Sequence, residues 1–427
     1  MEGEKAIEYI KSKEIFLLMR DTLKLIHPRL MEHGSRVAYM VYKMLEDKGG
    51  YEEYELADIV MVATLHDIGA YKTEAGSLSD ILRYESRDSV AHTIYGYLFF
   101  KYLSPVEDLA KVIMYHHMDY DQLEKVDYKY KELAAYINIA EKMDIYFKAM
   151  GSQFDMHMFH KQAGTKLSEE GLEQFYQTAV KHDIFAKIQS EEYKEELDYI
   201  VDFMIFSNEN KKKFLEMLMY CTGFRSEYSV VDTITTVCIC EEIANKMLLK
   251  EDEKELLYYG ALIHDIGMLA IPREIIEAPR KLEPEEMKLL RTHVVAAEKV
   301  LRKRMQEDVL EIAIAHHERA DGSGYPRKLK DSQMNYMQKI LQVADTVTGL
   351  TNKRSYRDPL HKEQVIEILN EEVTKNRLNR QIVNTFIRFY DTIMQRVQTE
   401  SAEIMKMYQT LNQQYDQVSK KFKVWDK

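Results

Sequence analysis

The sequence predicts an all-α protein. Only 16 glycines and 7 prolines occur in 427 residues, so tight β-turns have few sites and long helices are favoured. Apolar residues recur at three- and four-residue spacing over long windows, and strict alternation is scarce. Hydrophobic residues make up 45% and charged residues 30%, the balance of a chain with a packed core rather than a disordered one.

Taken in order, residues 1–30 read as a helical lead-in. His27-Pro28 opens a new element, because proline suits a first helical turn. The next helix carries His33, with Val37, Met40, Val41 and Met44 on one face. After Gly49-Gly50, an apolar helix from about Leu56 runs into Thr64-Leu65-His66-Asp67-Ile68-Gly69. Ala91-His92-Thr93 follows, then Ile113-Met114-Tyr115-His116-His117, then Ile137-Asn138-Ile139-Ala140-Glu141.

The second half repeats this order. Asp232 opens it, followed by Leu262-Ile263-His264-Asp265-Ile266-Gly267, His293, His316-His317 and Leu341-Gln342-Val343-Ala344-Asp345. The offsets are 199 (33 to 232), 198 (66 to 264), 201 (92 to 293), 200 (116 to 316) and 204 (141 to 345). Five ordered matches at nearly one spacing predict a tandem duplication. The last offset is longer because the second copy alone carries the Gly322-Ser323-Gly324-Tyr325-Pro326 insertion. Residues 150–225 read as closing helices and a helical connection. From about Gln381, Tyr408, Leu411, Tyr415, Val418, Phe422 and Trp425 keep the spacing of a coiled-coil seam. That seam predicts either a homodimer contact through the C-terminal helix or packing back on the body. The expected divisions are 1–215 for a first domain with its linker, 216–390 for a second, and 391–427 for the C-terminal helix.

Net charge is −12, which argues against a nucleic-acid polymer or an anionic membrane as the main partner. No apolar run of about eighteen residues exists, so no membrane span is expected. Met1-Glu2-Gly3-Glu4-Lys5 lacks the apolar core of a signal peptide, which makes a cytoplasmic protein the expectation. Cys221, Cys238 and Cys240 read as unpaired core thiols of a reducing compartment.

Metal-assisted phosphoester hydrolysis needs neutral imidazoles, a carboxylate able to bridge ions, and open positions for water and substrate. Each repeat supplies those residue types from apolar helices. Of 14 histidines, 9 fall in the repeated pattern, while His27, His157, His160, His182 and His361 read as surface or packing residues. Within the second copy, His316-His317-Glu318 runs into a loop with two glycines and a proline, suited to close backbone approach to a ligand.

The whole pattern resembles the HD superfamily of metal-dependent phosphohydrolases. The stretch from His316 to Pro326 resembles the signature of the HD-GYP family, whose members hydrolyse cyclic di-GMP at an iron or manganese site. The resemblance covers about 225–390 with the loop, and 30–150 as an HD domain without it. It implies two tandem helical HD-type domains and a cytosolic cyclic di-GMP phosphodiesterase. Two divalent ions per competent site, iron or manganese, would hold a bridging hydroxide that attacks phosphorus.

Carried onto this chain, the implied metal ligands of the second copy are Asp232, His264, Asp265, His293, His316, His317 and Asp345, with His264 and Asp265 at the catalytic centre. Those of the first are His33, His66, Asp67, His92, His116, His117 and Glu141. Gly322, Gly324, Tyr325 and Pro326 would lie beside the substrate, and Arg354 and Arg357 would grip its phosphates. The second copy departs from the family at four places: Asp232 stands for a histidine, Tyr228 for a glutamate, Met268 for a lysine and Thr348 for an acid. These departures carry an alternative, a nucleotide- or metal-binding signalling module without turnover. A further alternative is an HD phosphohydrolase acting on another nucleotide through the first copy.

Overall fold

A computed structural model describes residues 9–73, 89–353 and 357–422. Among these residues there is no β-strand, only two isolated bridges, Ala163 with Leu167 and Asp321 with Lys330. The all-α reading therefore holds. Two compact units form, one built on 26–213 and the other on 214–410 together with the lead-in helix.

In the first unit, α2 (Pro28–Lys48) follows the lead-in helix α1 (Ser12–Leu23). Its start is fixed by His27, whose Nδ1 accepts from Leu30 N at 3.1 Å, and by proline at the first turn. It ends at Gly49, whose φ of 73° suits glycine. Val37, Met40, Val41 and Met44 are all fully buried. At roughly 1.5–3 kcal/mol per buried side chain, this face is what holds the helix. α3 (Glu53–Thr64) begins with the Glu55 carboxylate accepting from Glu52 N at 3.0 Å and packs along α2. α4 (Ser89–Leu103), α5 (Ala110–Tyr115) and α6 (Lys131–Met150) follow. α6 packs on α2, and α5 packs on both α4 and α6.

The second unit repeats this arrangement with α7 (Glu227–Lys246), α8 (Glu251–Ile263), α9 (Pro284–Leu301), α10 (Glu307–Ala313) and α11 (Tyr336–Thr351). α7 packs on α8 and α11, and α10 packs on α8 and α11. α11 opens on a reciprocal cap: Gln338 N donates to Asn335 Oδ1 at 2.9 Å, and Asn335 N donates to Gln338 Oε1 at 2.7 Å. α12 (Tyr390–Phe422) is the last element among the described residues.

One segment departs from the sequence reading, and another takes one of the two places that reading left open. The lead-in, expected within 1–215, packs on the second unit. α1 buries Ile15, Phe16, Leu18 and Met19 and lies against α9 and the 266–270 turn. Arg304 fixes it there, reaching Glu14 at 2.9 Å and Asp21 at 2.8 Å. Part of the predicted C-terminal seam is also consumed within the chain. Tyr408 is buried, with its hydroxyl against Gly223, which leaves no room for a Cβ there. Trp425 lies outside the described residues. The cysteines are free and buried, as expected of core thiols, and burial pushes Cys238 up to about 12.

One close approach recurs in both units and positions the centre of each. A Cβ on Gly69 would lie 2.0 Å from the His92 carbonyl oxygen, and one on Gly267 would lie 1.9 Å from that of His293. Only glycine lets the His-Asp turn sit directly on the helix that carries the next histidine. Gly267→Ala is therefore expected to cost about 1–3 kcal/mol by overpacking. It should also lower the metal content of the second unit, which chemical denaturation and elemental analysis check.

Candidate metal centres

Each histidine cluster is built from helix ends. A helix leaves its last carbonyls without intrahelical partners, and an imidazole just beyond the end can serve one of them. His66 Nδ1 donates to Ala63 O, His116 to Ile113 O, His264 to Ala261 O and His316 to Ala313 O, each at 2.7 Å. His293, inside α9, donates to Leu290 O at the same distance. The bond makes Nδ1 the protonated nitrogen of the neutral ring, so in that state Nε2 is the nitrogen that can offer a lone pair inward.

In the first unit these lone pairs converge on Asp67. Its oxygens lie 3.4 Å from His66 Nε2, 3.2 Å from His92 Nε2, 3.7 Å from His116 Nε2 and 3.9 Å from His33 Nε2. His117 Nε2 lies 3.3 Å from Glu141 Oε1. Two donor groups result, Asp67 with His92, His116 and His117, and Asp67 with His33, His66 and Glu141, each with its ligand atoms within 4.8 Å of one another. Among the described residues, Nε2 of His33, His66 and His116 is buried with no hydrogen-bond partner. Leaving three buried acceptors unsatisfied is costly, and a cation at each group would satisfy them. The residues fit a metal centre in which Asp67 is shared.

His33 is held differently. Its Nδ1 donates to Asp144 Oδ2 at 2.7 Å, and Arg36 grips the same carboxylate with a fork, Nε at 2.5 Å and Nη2 at 2.8 Å. Burial pushes the Asp144 pKa up, but the bonds from His33 and Arg36 outweigh it and hold the group ionised. The sequence reading missed Asp144, although it stands three residues after Glu141 on the same helical face.

In the second unit Asp265 takes the central place, 3.4 Å from both His264 Nε2 and His293 Nε2, and 3.7 Å from His316 Nε2. His317 Nδ1 lies 3.2 Å from Asp345 Oδ2. His293, His316 and His317 form one group with ligand atoms within 4.8 Å. Among the described residues, Asp232, His264 and Asp345 enter no such group. Asp232 instead accepts from Asn352 Nδ2 at 2.8 Å. Thr348 pairs with Thr236, hydroxyl to hydroxyl, at 2.8 Å.

Tyr325, from the loop after His317, lines a cavity of about 570 Å³, whereas Gly322, Gly324 and Pro326, expected beside the substrate, are not among its lining residues. Asp232, His264, Asp265, His293, His317 and Asp345 face this cavity, with Tyr325, Met268, Arg280, Lys281 and Lys353 around them. Tyr325 stacks on His317 at 4.8 Å between centroids, and Arg291 lies 5.0 Å from the same ring. Gly324 is pressed against the backbone of Glu318 and Arg319, where a Cβ would come within 2.5 Å. Gly322 has φ of 80°, and the Tyr325–Pro326 peptide is cis. The loop is tied from below by Glu318, which is fully buried and accepts from Arg327 N at 2.7 Å and Leu329 N at 2.8 Å. This anchoring role was not read from the sequence; its signal was an acid followed by two glycines and a proline.

Arg354 lies outside the described residues. Arg357, expected at the phosphates, instead donates to Gly349 O at 2.5 Å and Leu350 O at 3.4 Å, capping the end of α11. Three histidines outside the pattern have structural places: His27 caps α2, His157 stacks on Tyr176 at 4.4 Å, and His182 pairs with Asp47 at 2.9 Å.

The two units differ in charge as well as shape. Burial lowers His66 to about 3, aided by the neighbouring His116 and His33. Burial also acts to lower His264, yet Asp265 and Asp345 outweigh it and raise the group to about 9. In metal-free protein, His66 gives stability above its ordinary 6.5 that is lost as pH falls toward 3, because only the unfolded chain takes the proton there. His264 gives stability that is complete below 6.5 and lost as pH rises through 9. Thermal melts in chelator across pH check this: His66→Gln should flatten the acid side of the profile and His264→Gln the alkaline side. For the loop, Glu318→Ala strands two backbone N–H groups and is expected to cost about 2–5 kcal/mol. Hydrogen exchange at Arg327 and Leu329 reads that loss directly.

Comparison with known proteins agrees with this geometry. HD domain profiles match residues 30–147 and residues 216–382. A relative in Vibrio cholerae serotype O1, 3'3'-cGAMP-specific phosphodiesterase 1, is 26% identical over 379 residues, covering 84% of this chain and 87% of its own. The cyclic di-GMP phosphodiesterase of Thermotoga maritima is 29% identical over 193 residues, 44% of this chain and 52% of the relative. Among solved structures, a cyclic GMP-AMP specific phosphodiesterase of V. cholerae, V-cGAP3, shares the fold. Its TM-score is 0.57 at 15% identity, over 89% of this chain and 97% of that one. With two HD domain matches and the ligand-bearing segments repeated in order within each, this chain carries two HD domains in tandem, the second with a Gly-x-Gly-Tyr-Pro loop.

Proposed function

We propose that the chain hydrolyses a phosphodiester of a cyclic dinucleotide, cyclic di-GMP or 3'3'-cGAMP, in the cavity of the second domain. The observation that carries this reading is the cavity itself. It has the volume of a small-molecule site, and its lining combines imidazoles and carboxylates with cations and an aromatic ring. The relative that spans most of this chain is named for 3'3'-cGAMP, and the shorter match for cyclic di-GMP.

His293, His316 and His317, with Asp265 beside them, would hold a divalent ion, and this mixed nitrogen and oxygen set suits iron or manganese. When bound, the ion supplies Lewis acidity toward the phosphoryl oxygens and lowers the pKa of water. The chain's own residues do the rest. Lys281 and Lys353 supply the positive charge that Met268 does not and that Arg357 spends on α11. Tyr325, clamped between His317 and Arg291, offers a ring face to a base. Asp265 keeps the inward imidazoles aligned through its contacts with His264, His293 and His316.

A second reading has its own support, since the first domain holds the two donor groups that share Asp67. Paired knockouts separate the readings. With cyclic di-GMP and 3'3'-cGAMP as substrates and linear product followed by chromatography, His264→Ala with Asp265→Ala should lower turnover by about 10²–10³-fold or more. His66→Ala with Asp67→Ala should leave it largely intact. Loss only in the second pair moves the chemistry to the first domain, and no linear product with either substrate at any metal loading defeats the proposal.

A further inference from the structure

We infer that the two domains load unequal numbers of metal ions, two in the first and one in the second, because the Asp232 side of the second centre has been rebuilt as a hydrogen-bonded wall. The inference rests on reading both clusters as metal sites. It is tested by counting ions rather than turnover, so it and the hydrolysis proposal can fail separately.

The argument is a comparison of equivalent positions. In the first domain His33 stands on α2 with Arg36 one turn further on, and Asp144 reaches across from α6. Arg36 and His33 both bond Asp144, which turns His33 Nε2 inward to join His66, Asp67 and Glu141 as a donor group. The same three positions in the second domain are Asp232, Thr235 and Thr348. All three members of the orienting set have changed together.

The replacements make a consistent structure of another kind. A carboxylate at 232 facing a carboxylate at 348 would place like charges together in a buried site, and threonine at 348 removes the second one. Thr348 satisfies its hydroxyl with Thr236 at 2.8 Å. Asn352 Nδ2 donates to Asp232 Oδ1 at 2.8 Å and lies 3.1 Å from Thr235 Oγ1. Asp232 is thereby held by an amide, and among the described residues it joins no donor group with His264 or Asp265. Its short side chain also reaches less far than imidazole from the same helix position. Among the described residues the outcome is one cluster, His293 with His316 and His317, where the first domain has two. The residues of the second domain fit one ion and do not fit the pair that the family resemblance implies.

The experiment loads full-length protein with manganese, removes excess ion by desalting, and counts metal per chain by plasma mass spectrometry. Wild type is expected to retain about three ions. Asp67→Ala should leave about one, and His33→Ala and His316→Ala about two each. Asp232→Ala should match wild type. If that variant is unfolded by circular dichroism, the near-isosteric Asp232→Asn decides in its place. Restoring the first domain's set with Asp232→His, Thr235→Arg and Thr348→Asp together should add an ion. A wild-type content of about four that falls by one in Asp232→Ala or Asp232→Asn overturns the inference.

Discussion

The structure depends on one small interaction made again and again: an imidazole Nδ1–H bonded to the carbonyl three residues back. It occurs at His66, His116, His264, His293 and His316. At a helix end the bond answers an orphan carbonyl. At the centre it decides which nitrogen stays basic. Without it, a buried histidine would be free to rotate or change tautomer, and neither cluster would have a fixed geometry. With it, backbone regularity is converted into an array of lone pairs, and the array needs only a central carboxylate to become a cation site.

The duplicated domains show what happens when this array is kept and its surroundings change. Asp67 and Asp265 occupy equivalent places with similar distances to their imidazoles. Glu141 and Asp345 also correspond, each beside the second histidine of its pair, but the place of His33 is taken by Asp232 in the second domain. The first domain surrounds its aspartate with further imidazoles, which push one another toward the neutral state. The second places Asp345 within reach of His317 and Asp232 along the cavity, so negative charge accumulates. That charge raises His264 where its counterpart His66 is lowered. The same fold thus presents two electrostatic environments, set by burial and by the charged members of each cluster.

The Gly-x-Gly-Tyr-Pro loop adds shape to the second environment. Glu318 works from beneath it, a buried carboxylate bonded to two backbone amides. Such an arrangement is worth more than neutral bonds and holds the loop against the end of α10. Tyr325 is consequently pinned beside His317 instead of sweeping through solvent. Metal-binding potential belongs to both domains, but the described walled cavity at a histidine cluster belongs to the second.

Much of this was legible in the primary structure. Helix periodicity with few glycines and prolines gave the fold class, because local backbone preference and one-dimensional spacing are enough to determine helices. Repetition of His, His-Asp, His, His-His and acid gave the internal duplication, since ordered spacing survives without knowledge of contacts. What folding alone decided was the partner of each side chain. Asp144 sits 111 residues from His33. Arg357 carries the charge of a phosphate ligand yet closes a helix end. Asp232 has ligand chemistry but faces an amide. The lead-in helix follows the chain into the first domain and packs on the second. Residue type and spacing specify what a side chain is able to bond. Which bond it makes depends on groups brought near by packing between helices distant in sequence, and a linear pattern carries no distance between them.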